Sequence, residues 1–528
     1  MKKMLYIILI VAILLIALIL FLIGRNGANQ SLEEEQVTPT TEPVILLIID
    51  SLMDQPLQQA IQEGRAPALK FFMDKGNYYP NVVSSYPTMS VSIDSTLLTG
   101  KYPDEHRIPG LVWFNDQEKR LINYGSAKEE IFKVGIKHVI EDNFYHLNHT
   151  HLSSQIKTLH EEIAENGLQS GSINALVYRG TEKKKLNLSK TLSEFDLLPE
   201  SFEIKAPHIF SYGAFAQYSP ENKENTQLWE RYGFNDKFVT EEIKYVIENS
   251  KLPAFTLLYL SNLDKEVHQD GPNNHIQAIE EVDKQLQEIL NTYETWDMAI
   301  QDTIWMIMGD SGQAPVKEDK SESLISLHSL LQSYNIHKTK DEIKPDDELV
   351  FALNERMAYI YTLNQSIEFN QIAAHLQEDQ RISFIAWKEN NNVHVITSDK
   401  ESELTFRPEG SLSDNYGQSW TINGDYSILD LNKDNNRLEY GSYPDALARL
   451  YSALHSHEGN FLVVDAKPGF EFIGEGTPTH PGGGSHGSLH ESDAFVPLIV
   501  SGTDTRPEYF RIVDLKPWIK QLIMKDRQ

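Results

Sequence analysis

The 528-residue chain contains no cysteine. Disulfides, thiolate metal sites, a cysteine nucleophile and lipid attachment through cysteine are all excluded. Basic residues are scarce too: 47 lysines and arginines stand against 76 aspartates and glutamates, a formal net charge of −29. A chain this acidic repels a phosphate backbone, which argues against bulk nucleic acid as a partner. A small nucleotide held by metal ions is still compatible with it. No internal repeat is present.

Charge is wholly missing from Met4 to Ile23, twenty residues that follow Lys2 and Lys3. At about 1.5 Å rise per residue, a helix of that length crosses the roughly 30 Å hydrocarbon layer of a membrane. The stretch is longer than the roughly 7–15-residue core of a cleaved signal, and no A-x-A-like site follows it. It reads as an uncleaved single-pass anchor over 4–23. The preceding lysines put the N-terminus in the cytoplasm and the body outside the cell. Residues 24–42 are polar and acidic and read as an extracytoplasmic linker. The folded domain is expected over 43–525, long enough for a large core.

Within that domain Val44-Ile45-Leu46-Leu47-Ile48-Ile49 is a continuous apolar run, the pattern of a strand buried on both faces. Comparable runs are Ala254–Leu260, Thr303–Met308 and Val496–Val500, with helical patterns between them at Asn274–Tyr293 and Pro444–His455. The alternation predicts an α/β fold, a mostly parallel sheet flanked by helices. The spacing is uneven, so cap-like insertions are expected near 111–250 and 315–460. The second holds β-like segments at Phe384–Ile396 and Trp420–Leu431. Tyr145-His146-Leu147-Asn148-His149-Thr150-His151 is rich in histidine but reads as a solvated loop.

Chemistry gathers just past the strand-like runs. Asp50 ends the first. Tyr86-Pro87-Thr88-Met89-Ser90 precedes a helical pattern, and a hydroxyl at a helix start is placed for attack beside free N–H groups. Asp264 and His268 are four apart, on one side of a helical turn. Met308-Gly309-Asp310-Ser311-Gly312 follows a third run, and His486 lies in Gly482-Gly483-Gly484-Ser485-His486-Gly487. Asp50, Ser90, Asp264, His268, Asp310 and His486 supply three carboxylates, two imidazoles and a hydroxyl. Those donors suffice for two cations with a nucleophile between them.

In these segments the chain resembles the alkaline phosphatase superfamily, most closely its nucleotide pyrophosphatase/phosphodiesterase branch. There a Pro-x-x-Thr segment leads into Thr-Gly-x-x-Pro-x-x-His, matched here by Thr99-Gly100 through Pro103 to His106. The nucleophile of the branch lies three residues after the Pro and ten before the Gly, and both counts fall on Ser90. Thr88 is the rival, because the branch uses Thr. The resemblance implies an alkaline-phosphatase-like domain with two divalent metal ions roughly 4 Å apart. One, expected to be Zn, would sit at Asp264, His268 and His486. The other would sit at Asp50, Ser90 and Asp310. The His that normally follows the last Asp is Ser311 here, so Zn, Mn or Mg is expected at that oxygen-rich site. His490 is a candidate to replace the lost imidazole. The branch has an Asn that contacts the phosphoryl oxygen; Leu111 falls at its position, and Asn115 is the nearest amide.

The implied function is extracytoplasmic cleavage of phosphodiester or pyrophosphate bonds in a small phosphorylated substrate, a nucleotide or an envelope phosphodiester, through a phosphoseryl intermediate. The alternatives are a membrane-anchored transferase of phosphorylated headgroups to envelope glycan or lipid, a phosphomonoesterase, and a catalytically weak metal-binding scaffold. A sulfatase is disfavoured, since the chain has no Cys/Ser-x-Pro-x-Arg motif.

Overall fold

Seven strands form the central sheet of the computed structural model, which describes residues 37–38, 42–188, 199–273, 275–399 and 402–524. They are β1 (Val44–Ile49), β2 (Asn77–Val83), β3 (Ser170–Ile173), β4 (Ile209–Ser211), β5 (Phe255–Leu260), β6 (Ile304–Met308) and β7 (Phe495–Ser501), in the spatial order β2-β7-β6-β1-β5-β3-β4. β6, β1, β5, β3 and β4 run parallel; β7 is antiparallel to both β6 and β2. The anchor expected over 4–23 and most of the linker lie outside the described residues. Among those residues no helix is long and apolar enough to cross a membrane.

β1 explains why the sheet needs cover on both sides. Val44, Leu46 and Ile48 pack on one face against helix α1 (Ser90–Thr99) and the C-terminal helix Ile512–Met524. Ile45, Leu47 and Ile49 pack on the other against helices Asp54–Gln62, Pro67–Lys75, Asp236–Glu248 and Ile276–Leu290. Period-2 alternation along an unbroken apolar run thus builds two cores at once. A second, nine-stranded sheet spans residues 349–466 and has its own cores.

Two expectations need correction. The stretch 111–250 is not wholly a cap, because β3 and β4 come from it and complete one edge of the central sheet. The histidine-rich segment is no loop either. Residues Asp142–His151 coil into a wide helix that buries Leu147, Asn148 and His151.

His106, at the end of the Thr-Gly-x-x-Pro-x-x-His stretch, is a structural residue. Its Nδ1 accepts from the Ile108 amide at 3.1 Å, so Nε2 carries the proton toward Thr96 Oγ1, also 3.1 Å away. Burial lowers its pKa from 6.5 to about 3. A lowered imidazole stabilises the fold fully above pH 6.5, and that contribution disappears as pH falls toward 3. We therefore expect the unfolding free energy to fall below pH 6.5, with His106 contributing up to about 1.4 kcal/mol per pH unit. His106→Gln, which can keep both hydrogen bonds, should flatten the slope by one proton. Denaturant unfolding across the acid range measures this; an unchanged slope would contradict a neutral His106.

Candidate active site

The site is assembled at the carboxyl ends of the parallel strands, where a sheet of this kind presents chemistry. Asp50 follows β1, and a left-handed turn at Ser51 (φ 62°) lets that residue touch both halves of the site. The Ser51 amide donates to Asp310 Oδ1 at 3.0 Å, and its hydroxyl donates to Asp264 Oδ1 at 2.9 Å. Gln313 Nε2 donates to the same Asp264 oxygen at 2.8 Å and to Ser51 Oγ at 2.9 Å. The Asp50/Asp310 half and the Asp264 half are therefore stitched together through one serine.

Helix α2 (Asn262–Asp270) starts one residue after β5 and carries Asp264 and His268 one turn apart. His268 Nε2 lies 3.2 Å from Asp264 Oδ1, and His486 Nε2 lies 3.8 Å from the same oxygen. Each ring is held by its other nitrogen: His268 Nδ1 donates to Gly484 O at 2.9 Å, and His486 Nδ1 to Thr88 O at 2.5 Å. The glycine-rich turn permits this approach, since a Cβ on Gly483 would sit 1.9 Å from His268 O. That segment is a fitted part of the site rather than a free surface loop.

Ser90 is the first residue of α1 and lines a cleft of 550 Å³ together with Asp50, Asp264, His268 and His486. Met89, before it, offers no side-chain cap, and the first amides of a helix have no acceptor within it. The Ser92 amide turns back to Met89 O at 2.8 Å, which leaves the Ser90 and Val91 amides to face an oxyanion. Tyr259, on β5, donates to Asp50 Oδ2 at 2.7 Å and stands 3.2 Å from Asp310 Oδ2.

The other sequence candidates lie elsewhere. Thr88 is fully buried; its Oγ1 accepts from the Gly487 amide at 2.7 Å, so it anchors the His486 loop. Asn115 is at a hairpin turn, where Oδ1 accepts from the Gln117 and Glu118 amides and Nδ2 donates to Glu118. It does not line the cleft, because the register of Val112–Asn115 against Arg120–Asn123 puts it at the turn. His490 caps the short helix Glu491–Ala494 and packs edge-on against Tyr443, away from the cleft wall. Ser311 is buried, its hydroxyl has no partner among the described residues, and its amide donates to Asp310 Oδ1 at 2.7 Å.

The structure also adds residues that motif reading passed over: Tyr259, Gln313, Asp94, Glu355 and His480. Asp94 is fully buried one turn after Ser90 in α1 and faces the Leu176 and Val177 amides without reaching hydrogen-bond geometry. Glu355 and His480 line the cleft beside His268, with the His480 and His268 rings stacked at 4.2 Å.

The electrostatics test whether cations fit. Burial, then Asp310 and Asp264, raise the Asp50 carboxyl well above the ordinary range. Burial and Asp310 do the same to Asp94. In the other half burial opposes the charge on His268, but Asp264 and Glu355 prevail and raise it to about 10. One half calls for protons on carboxylates and the other for a proton on imidazole. Divalent cations meet both demands with oxygen donors on one side and mixed donors on the other. The donor atoms of Asp264, His268 and His486 all lie within 4.8 Å of one another. The residues fit the group.

Residues 44–489 match the family described as type I phosphodiesterase/nucleotide pyrophosphatase. The chain belongs to this family. It is accordingly a metal-dependent hydrolase of phosphoric esters, within the alkaline phosphatase superfamily. Human ectonucleotide pyrophosphatase/phosphodiesterase 5 shares the fold at 15% identity, over 91% of this chain and 95% of that one, with a TM-score of 0.54. An inactive form of the murine protein, in complex with AMP, gives 13% identity, the same coverage and a TM-score of 0.54. Phosphonoacetate hydrolase from Sinorhizobium meliloti, in complex with phosphonoformate, gives 13% identity over 93% of this chain and 100% of that one, with a TM-score of 0.53. No curated protein matches by sequence.

Thr88 and Ser90 can be separated experimentally. Thr88→Val leaves the buried Gly487 amide unpaired and should lower stability by about 1–3 kcal/mol while sparing turnover of folded enzyme. Thermal unfolding and steady-state rates on one preparation check both parts; lost turnover with unchanged stability would reinstate Thr88 as nucleophile.

Proposed function

We propose that the protein cleaves phosphodiester or pyrophosphate bonds of small substrates by transferring the phosphoryl group to Ser90 and then to water. The observation that supports this reading best is Ser90 at the open N-terminus of α1, in the same cleft as Asp50, Asp264, His268 and His486. Asp50, Ser90 and Asp310 would hold one divalent cation, and Asp264, His268 and His486 a second, Zn by its imidazoles. When bound, the pair lowers the pKa of the attacking oxygen and neutralises charge on the phosphoryl and leaving oxygens.

The chain's own residues supply the rest. Tyr259 restrains Asp50 and Asp310, Ser51 and Gln313 fix Asp264, and the α1 amides replace Asn115 as the partner of the phosphoryl oxygen. Across the cleft Tyr124, Phe144, Tyr212 and Phe234 form an aromatic flank beside Asn143 and Arg231. A planar leaving group suits such a wall, which favours diesters over small monoesters. We further infer that residues 4–23 anchor the enzyme in the membrane with this cleft on the extracellular side. Protease protection of the intact cell tests that placement; a cleavage-resistant body would place it inside.

Ser90→Ala should lower kcat by roughly 10⁴-fold or more with the metal content unchanged. Turnover of a p-nitrophenyl phosphodiester together with metal analysis measures it, and product analysis separates hydrolysis from transfer to another acceptor. Retained turnover would remove Ser90 from the chemistry. Ser311→His should raise zinc affinity of the Asp50/Asp310 side by roughly 10- to 100-fold. Unchanged affinity in a competition titration would show that Asp310 does not serve that cation.

A further inference from the structure

The second sheet reaches into the cleft at one point, the turn between strands Leu349–Asn354 and Met357–Thr362. Glu355 occupies that turn at φ 58°, a left-handed conformation that disfavours a side-chain-bearing residue. The turn is nonetheless fixed from every direction. Glu355 O accepts from the Phe472 amide at 2.8 Å, the Arg356 amide donates to His486 O at 3.0 Å, and Arg356 O accepts from Ala466 at 2.9 Å. The Arg356 guanidinium is fully buried against Asp493. Asn354 Oδ1 accepts from the Leu111 and Val112 amides. Gly487 (φ 109°) completes the fit, since a Cβ there would lie 2.3 Å from Asn354 O. Strain persists where surroundings over-determine it, and such places are often functional.

The two carboxylate oxygens of Glu355 have different surroundings. Oε2 accepts from Ser485 Oγ at 2.8 Å and from the His486 amide at 3.1 Å. Among the described residues no N–H or O–H is directed at Oε1 by a hydrogen bond of ordinary geometry. That oxygen instead lies 3.8 Å from His268 Nε2 and 4.0 Å from His486 Nε2. Both rings spend their Nδ1–H on carbonyl oxygens, so in the neutral rings each Nε2 presents a lone pair. Asp264 Oδ1 is 3.2 and 3.8 Å from the same two nitrogens. Each carboxylate oxygen thus stands 3.2–4.0 Å from the same two imidazole nitrogens. Zinc bonds of about 2.0–2.2 Å put tetrahedral ligands roughly 3.3–3.6 Å apart, close to these separations.

We propose that Glu355 Oε1 is the fourth ligand of the cation held by Asp264, His268 and His486. The proposal rests on the metal-site reading above and extends it to a residue of the second sheet. His480 is a positioning residue in the same wall: its ring braces that of His268, and Glu471 fixes its Nδ1 at 3.0 Å. Glu355 would bring the protein donors to four, and a substrate oxygen would then add to that set or replace Glu355.

The test is titration of the metal-stripped full chain with Zn²⁺ against a chromophoric chelator, for wild type, Glu355→Gln, Glu355→Asp and His486→Ala. Circular dichroism of each stripped protein checks its folding. Wild type should show a tight site that His486→Ala loses. Glu355→Gln should weaken that site by roughly 100-fold, with Glu355→Asp between the two because its shorter chain falls short. Co²⁺-loaded wild type should give the intense visible bands of a four-coordinate ion, reduced in Glu355→Gln. A site lost in His486→Ala but unaltered in affinity and spectrum by both Glu355 changes overturns the proposal and spares the metal reading. A wild type with no His486-dependent site overturns the metal reading itself. Should both Glu355 variants fail to fold, Ser485→Ala, which removes the 2.8 Å hydrogen bond that orients the Glu355 carboxylate, decides: weaker zinc binding supports the ligand, and unchanged affinity and cobalt spectrum would reject it.

Discussion

Crowded negative charge is the constraint that organises this molecule. Asp50, Asp264 and Glu355 line one cleft with Asp310 and Asp94 buried near Asp50, and Arg231 is the single lysine or arginine of the wall among the described residues. Arg231 itself is at the rim, bonded to Asn262 at 3.2 Å. A buried carboxylate with no partner is expensive, and proteins answer by protonating it, pairing it or binding a cation. The raised carboxyls on the Asp50 side and the raised imidazole of His268 express the same need from opposite directions. A divalent cation would answer both at once.

Carboxylates this close repel one another, so the scaffold has to hold them rigidly. β1 does so by being apolar on both faces, which fixes the position of Asp50 from two cores at once. The Ser51 turn then transmits that position to Asp310 and Asp264 through single hydrogen bonds of 3.0 and 2.9 Å. On the far side, Arg356 and Asp493 clamp the hairpin that carries Glu355 to the loop that carries His486. Two sheets with separate cores thereby meet across the site, and neither can shift without disturbing the donors of the other.

How much of this was legible in the sequence follows from where each residue lies. Strands such as Val44–Ile49 declare themselves because burial on both faces leaves no polar position, and a carboxylate just beyond such a run stands out. Asp264 and His268 were readable as a helical pair, and Ser90 through its spacing from Pro87 and Gly100. Glu355 carried no such mark. Its sequence neighbours are those of an ordinary hairpin, and it reaches the cleft only because the second sheet folds back over the first. The closest hint was a Glu-Arg pair between two apolar runs, Leu349–Asn354 and Met357–Thr362. Tyr259 was hidden inside the β5 run, and Asp94 inside α1. Asn115 failed for the converse reason: nearness along the chain chose it, while strand register pointed it to a turn.

The replacement of imidazole by Ser311 gains meaning from its neighbour Tyr259. Ser311 is buried and its hydroxyl binds nothing among the described residues, so it does not substitute for the missing ring. The Tyr259 hydroxyl, between Asp50 and Asp310, is the group that spans that side. A phenol donates a proton where imidazole would offer a lone pair, so it restrains the carboxylates without adding a strong ligand. One half of the site is therefore oxygen-rich and the other combines imidazoles with carboxylates, and hard cations favour the first as zinc favours the second. The asymmetry comes from residues at fixed places in the fold, and it is the ground for proposing different metals at the two halves.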